Sequence, residues 1–504
     1  MQDGHSFIAA RPAPVQAPSL DQLFSRTAAR RPEAQALVDP ADKERVTGQP
    51  PRRLSYAEAD VAVARLAAYF VEVGLPSGAI VAVQLPNTVE AVVTILAAMR
   101  AGLSVALLPQ LWRQAELSDA INRIRARALV TMSRIDGVDH ADLAMNAAAE
   151  AFSVRQVFSF GDNTPEGSVP LDYITFDEDR TPHLPDRGAE RTSLITFDVL
   201  PDGLRAVPRT QAQVIAGGLA VMLDADIPAG TRIMSATMPS SFAGICASMV
   251  TWLLSGGRLA LHHPFETDVL LSQIAHDRCA LLVAPAPLAL RLGETGAFAD
   301  LPQLNQVIGL WRAPEQAATS SSWTYARSFI DLYAFGEAGL FAVPRDGEGT
   351  PAPVAPGARP LQGQGSAGVA CEVFISDHGT VGMRGAMVPL AAYAAQRSSD
   401  LLLTRDKPDH VDTGYAARLD RRNGAICITA PPSGVLNVGG YRFLTNDLNT
   451  WAQRLPQGGM LTALPDRISG HRLAGRASDN ARARAALAQL GLNPLMVEAF
   501  RERS

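Results

Sequence analysis

The sequence predicts an α/β fold: a large, multi-sheet layered N-terminal part followed by a small α+β domain. Three observations carry that reading. Short apolar runs alternate with helix-period segments from about residue 36 to 310, the signature of parallel strands joined by crossover helices. Composition shifts to Pro, Gly and Ala over 351–368 and again over 430–434, which marks edges of the layered part. A chain of 504 residues also exceeds what one core sustains, so two or more domains are expected. We divide it into a flexible start (1–18), a large unit (19–429) that turns β-rich from about 351, and a shortened C-terminal unit (430–504).

Residues 19–30 read as a helix, with Leu20, Leu23, Phe24 and Ala28 on one face and Asp21 near the start. A short strand over 36–38 and a loop over 47–51 lead to a helix over 57–73 that Gly74 closes. A buried strand over 80–85, a helix over 89–100 ended by Gly102, and a strand over 104–108 follow. The pattern continues through 128–131, 232–261, 281–284 and 307–310. Residues 162–191 are polar and Pro-rich, which suggests a surface excursion. In the second half, strands are expected over 373–376, 381–384 and 425–428, a short helix around 447–455 and a final helix over 480–490.

With 47% hydrophobic and 19% charged residues the chain is globular rather than disordered. A net charge of −5 implies no general nucleic-acid or anionic-membrane partner. Cys246, Cys279, Cys371 and Cys427 have neither metal nor redox spacing, as expected of free cysteines in a reducing compartment. The first 18 residues lack the basic start and apolar core of a signal peptide. Apolar runs stay well short of the ~20 residues that span a bilayer. A cytoplasmic protein without a membrane span is therefore expected.

The stretch around which the chain is organised is 193–213, SLITFDVLPDGLRAVPRTQAQ. Leu194–Phe197 reads as a buried strand, 198–203 as a turn, 204–207 as a return strand, and Thr210 as the N-cap of a helix over 212–223. Strand, turn, basic residue and helix are the layout of a phosphate-gripping loop. Such loops offer backbone N–H groups and hydroxyls, whereas this one offers Val199, Leu200 and Pro201, and proline has no N–H. Taken alone, an ordinary hairpin turn explains the stretch.

The flanking landmarks resemble those of the adenylate-forming superfamily of acyl-CoA synthetases, luciferases and peptide-synthetase adenylation domains. Leu54-Ser55-Tyr56-Ala57-Glu58, Gly78-Ala79-Ile80-Val81-Ala82-Val83, Leu85-Pro86-Asn87-Thr88-Val89-Glu90, Ala98-Met99-Arg100-Ala101-Gly102 and Glu116-Leu117 stand in that family's order. The resemblance covers nearly the whole chain. It implies the acyl-CoA synthetase type of fold and its chemistry: a small carboxylic acid and ATP give an acyl-adenylate, then a thioester with CoA or a carrier-protein thiol. ATP or AMP, Mg²⁺ and CoA are the implied cofactors.

Carried over residue by residue, the resemblance places Arg205 at the lysine of the phosphate loop, Asp202 at its second glycine and Asp198 at its serine. Gly203 and Thr210 join the nucleotide-binding set. Pro239-Ser240-Ser241-Phe242-Ala243-Gly244 matches the acyl-pocket segment without its histidine, so Ser241, Phe242 and Gly244 are expected to shape an apolar pocket. Val307 to Pro314 resembles the stretch beside the adenine, with Trp311 and Arg312 in place of small residues. In Tyr333-Ala334-Phe335-Gly336-Glu337, Tyr333 stands where a tyrosine packs on adenine and Glu337 where a glutamate holds Mg²⁺. Gly336 replaces a threonine. Tyr415 occupies the place of the ribose-binding aspartate, with Asp412 three residues away. Ala430-Pro431 replaces the Gly-Arg pair before the hinge, while Val438-Gly439-Gly440-Tyr441-Arg442 keeps the glycine turn. Leu464 to Leu473 admits two alignments. In the better one, mid-domain, the family's catalytic lysine has no counterpart.

Two functions follow. One is an ATP-dependent acyl-adenylate-forming ligase of weak or atypical turnover, with Glu337 and Arg205 as catalytic residues, Glu337 on Mg²⁺, and Arg442 as a further countercharge. The other is a catalytically inactive relative that binds an acyl group, a nucleotide or a protein partner.

Overall fold

The computed structural model describes residues 18–177, 193–325, 327–361, 368–389, 410–455 and 458–501. The flexible start expected for 1–18, but for Pro18, lies outside the described residues, as do 178–191 of the expected excursion and 362–367 of the Pro/Gly-rich stretch. The described part of the excursion is tied in: Ser168–Pro170 is a strand paired parallel to Gln156–Phe160.

Two large sheets dominate. One runs Gly339–Pro344, Ser328–Phe335, Gln306–Trp311, Leu281–Pro285, Arg232–Ser235, Arg258–Leu261, Gln35–Val38 and Arg53–Ser55, parallel except for the pair at each edge. The other runs Gly203–Thr210, Ser193–Leu200, Ser104–Leu107, Ile80–Gln84, Ala128–Met132, Gln156–Phe160 and Ser168–Pro170. Its inner strands, such as IVAVQ, are buried at every position, as strands covered on both faces must be.

Local chemistry sets the helices. Ser19 and Gln22 close a capping box on Leu20–Arg30, and Ser55 and Glu58 do the same for Tyr56–Glu72. Val89–Arg100 is buried along its length except for Arg100, so it is an interior helix rather than an amphipathic one. Arg100 ends it by pairing with Asp21 and Asp60.

A third, antiparallel sheet contains Gly357–Leu361, Gly368–Ile375, Thr380–Arg384, Val411–Leu419 and Ile426–Ala430. After it come two hairpins, Val435–Val438 with Tyr441–Leu444 and Gly459–Asp466 with Gly470–Ala477. The helices Thr445–Gln453, Asn480–Gln489 and Pro494–Glu498 accompany them. This last part has its own apolar core, including Val438, Leu448, Leu473, Leu487 and Phe500. The helix over 480–490 is not the last, because Asn493 caps one more turn with Pro494 at its first position. Among the described residues no helix is long and apolar enough to cross a membrane.

Candidate functional site

The stretch 193–210 forms a continuous hairpin. Ser193–Leu200 and Gly203–Thr210 pair at every position down to Leu200 opposite Gly203, leaving Pro201-Asp202 as a two-residue turn. The turn expected over 198–203 is therefore corrected: ladder pairing carries both strands through Asp198, Val199 and Leu200. Arg205 is held at the turn, paired with Asp202, and is absent from the cavity wall described below. Thr210 caps the helix Gln211–Asp224, its hydroxyl accepting from the Gln213 N–H at 3.3 Å.

Asp198 is the hub of the site. Its Oδ2 accepts from the Glu337 N–H at 2.8 Å, and its Oδ1 accepts from Arg442 Nη1 at 2.6 Å. Arg442 Nη2 donates to the Tyr415 hydroxyl at 2.5 Å, and that hydroxyl donates to the Arg312 carbonyl at 3.4 Å. Asp198 and Arg442 are 4% and 5% exposed, so this is a buried charge-assisted pair. Burial opposes the Arg442 charge, but Asp198 and Tyr415 hold its guanidinium above the ordinary value. Burial also pushes the Tyr415 phenol up. Gly336, at φ +54°, is where this network touches the neighbouring loop: a Cβ there would lie 2.3 Å from Asp198 Oδ2 and 2.5 Å from Arg442 Nη1. A threonine at 336 and the ion pair cannot share that space.

Glu337 is 1% exposed, and its Oε2 accepts from the Phe242 N–H at 2.9 Å. Arg209 Nη1 and Arg312 Nη2 each stand 4.0 Å from its carboxylate. Burial pushes its carboxyl above the usual range, against the pull of Arg312 and Arg209. Arg209 is itself buried; it donates to the Glu337 and Ala338 carbonyls and lies 3.8 Å over the Phe242 ring. Desolvation lowers its guanidinium to about 10.

A cavity of about 720 Å³ separates the large part from the C-terminal part. Trp112, Phe197, Leu204, Leu310 and Trp311 line it from one side, and Asn437, Gly440, Arg442, Phe443 and Trp451 from the other. The Trp311 indole is fixed by a 2.7 Å hydrogen bond to Asp331, which also pairs with Arg345 at 3.0 Å.

Asp198, Gly203, Ser241 and Trp311 are the expected site residues on its wall. Phe242 and Gly244, expected there, are turned elsewhere: Phe242 lies under Arg209, and a Cβ at 244 would meet the Met238 carbonyl at 2.4 Å. Gly336 is covered by Asp198 and Arg442. Tyr333 is buried with its ring 5.1 Å from that of Phe341. Asp412 accepts from the Gly414 N–H at 2.8 Å and is also off the wall. The Asp198–Arg442 pairing and the Asn437–Arg312 contact at 3.0 Å were not foreseen. The available signal was joint: an aspartate, a phenol and a glycine where the resemblance implies a serine, an aspartate and a threonine make room for one arginine.

Residues 24–189 match the family model described as AMP-binding enzyme. The chain is 29% identical over 293 residues to the 2-hydroxy-7-methoxy-5-methyl-1-naphthoate–CoA ligase of Streptomyces carzinostaticus, covering 53% of this chain and 48% of that one. It is 34% identical over 148 residues to the salicyl-AMP ligase / salicyl-S-ArCP synthetase of Mycobacterium tuberculosis, covering 29% and 25%. The chain thus spans about half the length, or less, of the curated relatives it matches. The amide bond synthetase McbA of Marinactinospora thermotolerans shares the fold, with a TM-score of 0.67 at 17% identity over 94% of both chains. Sequence landmarks, sheets and relatives converge: the chain is similar to AMP-binding enzymes over residues 24–189 and shares the fold of the solved adenylate-forming relatives over most of its length.

Proposed function

We propose that this chain is a non-adenylating member of its superfamily, which binds a carboxylic acid or acyl group between its two parts without activating it through ATP. The observation that carries this reading is the Asp198–Arg442–Tyr415 network at the positions assigned by resemblance to phosphate and ribose. A triphosphate there would have to displace Arg442 and would meet the Asp198 carboxylate instead of a serine hydroxyl. A phenol donates one hydrogen bond and lacks the paired acceptors of a carboxylate for two ribose hydroxyls. The strands Ser193–Leu200 and Gly203–Thr210 pair along their full length, so few of their amides remain for phosphate. A cation on Glu337 would sit against the Arg209 and Arg312 guanidiniums, 4.0 Å from the same carboxylate. These residues do not fit Mg-ATP.

The ligase reading is favoured by family membership and by Glu337 keeping the family register. In that reading the chain would join an acid to CoA or a carrier-protein thiol in the cytoplasm. ATP–pyrophosphate exchange over a panel of aliphatic and aromatic acids decides between the two. We expect none above the enzyme-free blank. Exchange that Glu337→Ala lowers by on the order of 10²-fold, as loss of one transition-state contact does, would establish the ligase.

A further inference from the structure

Away from the cavity, one turn of the large part carries an aromatic tip among arginines. Phe152 is 92% exposed, whereas the other large apolar side chains on the described surface reach 66% at most. The tip is held out by its backbone. Phe152 and Ser153 form a turn closed by the Val154 N–H, which donates to the Ala151 carbonyl at 3.1 Å. Ala151 is buried below it, and the turn runs on into the strand Gln156–Phe160, which is flanked on both sides in its sheet.

The segment beside this turn is basic. The helix Gln114–Ile124 ends at Arg125, whose φ of +51° turns the chain back, and Arg127 follows two residues later. Asn122 Nδ2 donates to the Glu150 carbonyl at 3.2 Å, and Arg127 Nη1 to the Ser153 carbonyl at 3.4 Å. The Arg155 N–H donates to the Arg127 carbonyl at 2.9 Å. These bonds clamp the two segments together and bring Arg125, Arg127 and Arg155 beside the tip. Among the described residues none of the three has an ion-pair partner, whereas the nearby Arg123 is paired with Asp119 at 3.0 Å. The carboxylate of Glu150 is taken by Gln114 Nε2 at 2.7 Å.

We propose that this tip anchors the protein on an anionic lipid surface, with Phe152 entering the headgroup layer and the three arginines meeting lipid phosphates. An apolar wedge flanked by unpaired cations complements negative headgroups lying over acyl chains. A protein partner is less well matched, because a stable interface takes roughly 800 Å² from each side and this convex tip offers one large apolar side chain. The chain carries −5 overall, so the attraction is local and the rest of the surface is repelled, which orients the molecule tip first. The proposal is independent of whether the chain activates an acid.

The test is flotation of the full chain with vesicles of phosphatidylcholine alone and of phosphatidylcholine with about one-third phosphatidylglycerol. The chain should float with the anionic vesicles, stay behind with the neutral ones, and be released as salt rises. Phe152→Ala should weaken the partition by about tenfold, the scale of burying part of one aromatic side chain. Arg125→Gln, Arg127→Gln and Arg155→Gln should each weaken it by about fivefold. Thermal melts close to that of the native chain would show that these surface variants fold. No flotation with the anionic vesicles overturns the proposal, including the case in which the chain binds poly-glutamate instead, since the partner is then an acidic polypeptide. Flotation that survives Phe152→Ala combined with the three glutamines overturns it as well, because the lipid then sits on another surface.

Discussion

The Lys43 cluster and the Arg442 cluster are both buried and both built on short charge-assisted bonds, yet they hold different things. Lys43 Nζ lies 2.6 Å from Asp39 and 2.5 Å from Glu90, with all three side chains at 1% exposure or less. Asp39 also accepts from the Val89 N–H at 2.7 Å and the Arg52 N–H at 2.8 Å. It serves the start of the interior helix that its own N-cap, Thr88, leaves without a side-chain bond. Every partner belongs to the large part, so this cluster fastens that part alone. The Asp198–Arg442 pair joins residues 244 apart in sequence and connects the large part to the C-terminal part. The same chemistry therefore gives stability in one place and a closed site in the other.

Breaking the first cluster should have the larger effect. Lys43→Met leaves Asp39 without a cationic partner and Glu90 with only the more distant Arg52 at 3.6 Å, which costs about 3–5 kcal/mol. Folded yield and the guanidinium midpoint should both fall sharply. A midpoint within error of the native chain would show that the cluster ionises differently from its geometry.

The second cluster should break more quietly. Arg442→Leu removes one buried link between the parts and leaves the Asn437–Arg312 contact, so limited proteolysis should cut faster near 430–434 while the unfolding of the large part changes little. Asp198→Asn and Arg442→Leu in a double-mutant cycle should show a coupling of about 0.5–3 kcal/mol, the range for groups in one network. Additive effects would mean that the two side chains meet without holding the parts together.

What the sequence revealed follows the same division. Local signals placed the large part well: the helix expected over 89–100 is Val89–Arg100, and the one over 19–30 is Leu20–Arg30 behind a Ser19 capping box. Residues 198–203 read as a turn six residues long, but strand pairing, a tertiary preference, absorbed all except Pro201 and Asp202. The fate of Arg442 was hidden, because its partners Asp198, Tyr415 and the space at Gly336 come from three distant segments. Glu337 kept its register and still became a buried acceptor for the Phe242 N–H. Register reports the backbone, whereas neighbours decide what a carboxylate does.

The most gradual expected effect concerns Glu116, a third point where the two parts approach. Glu116 sits in the first turn of the helix Gln114–Ile124, accepts from the Arg113 N–H at 3.0 Å and lines the cavity. Burial raises its carboxyl from the ordinary 4.5 to about 7, against weaker opposing pulls that include the Asn493 backbone and Arg113. Unlike Asp39 or Asp198, it lacks a short cationic bond, so its charge is the least compensated of the three. A raised carboxyl favours the protonated form in the folded state. Its contribution is full below about pH 4.5 and is lost as the pH rises through about 7. Between pH 5 and 8 the native chain should therefore lose roughly 2 kcal/mol at this site. Glu116→Gln, neutral at every pH, should flatten that slope and leave the acid-side stability nearly unchanged. Denaturant midpoints at pH 5, 6, 7 and 8 for the two chains make the comparison, and parallel slopes would mean that Glu116 is already ionised in the folded protein.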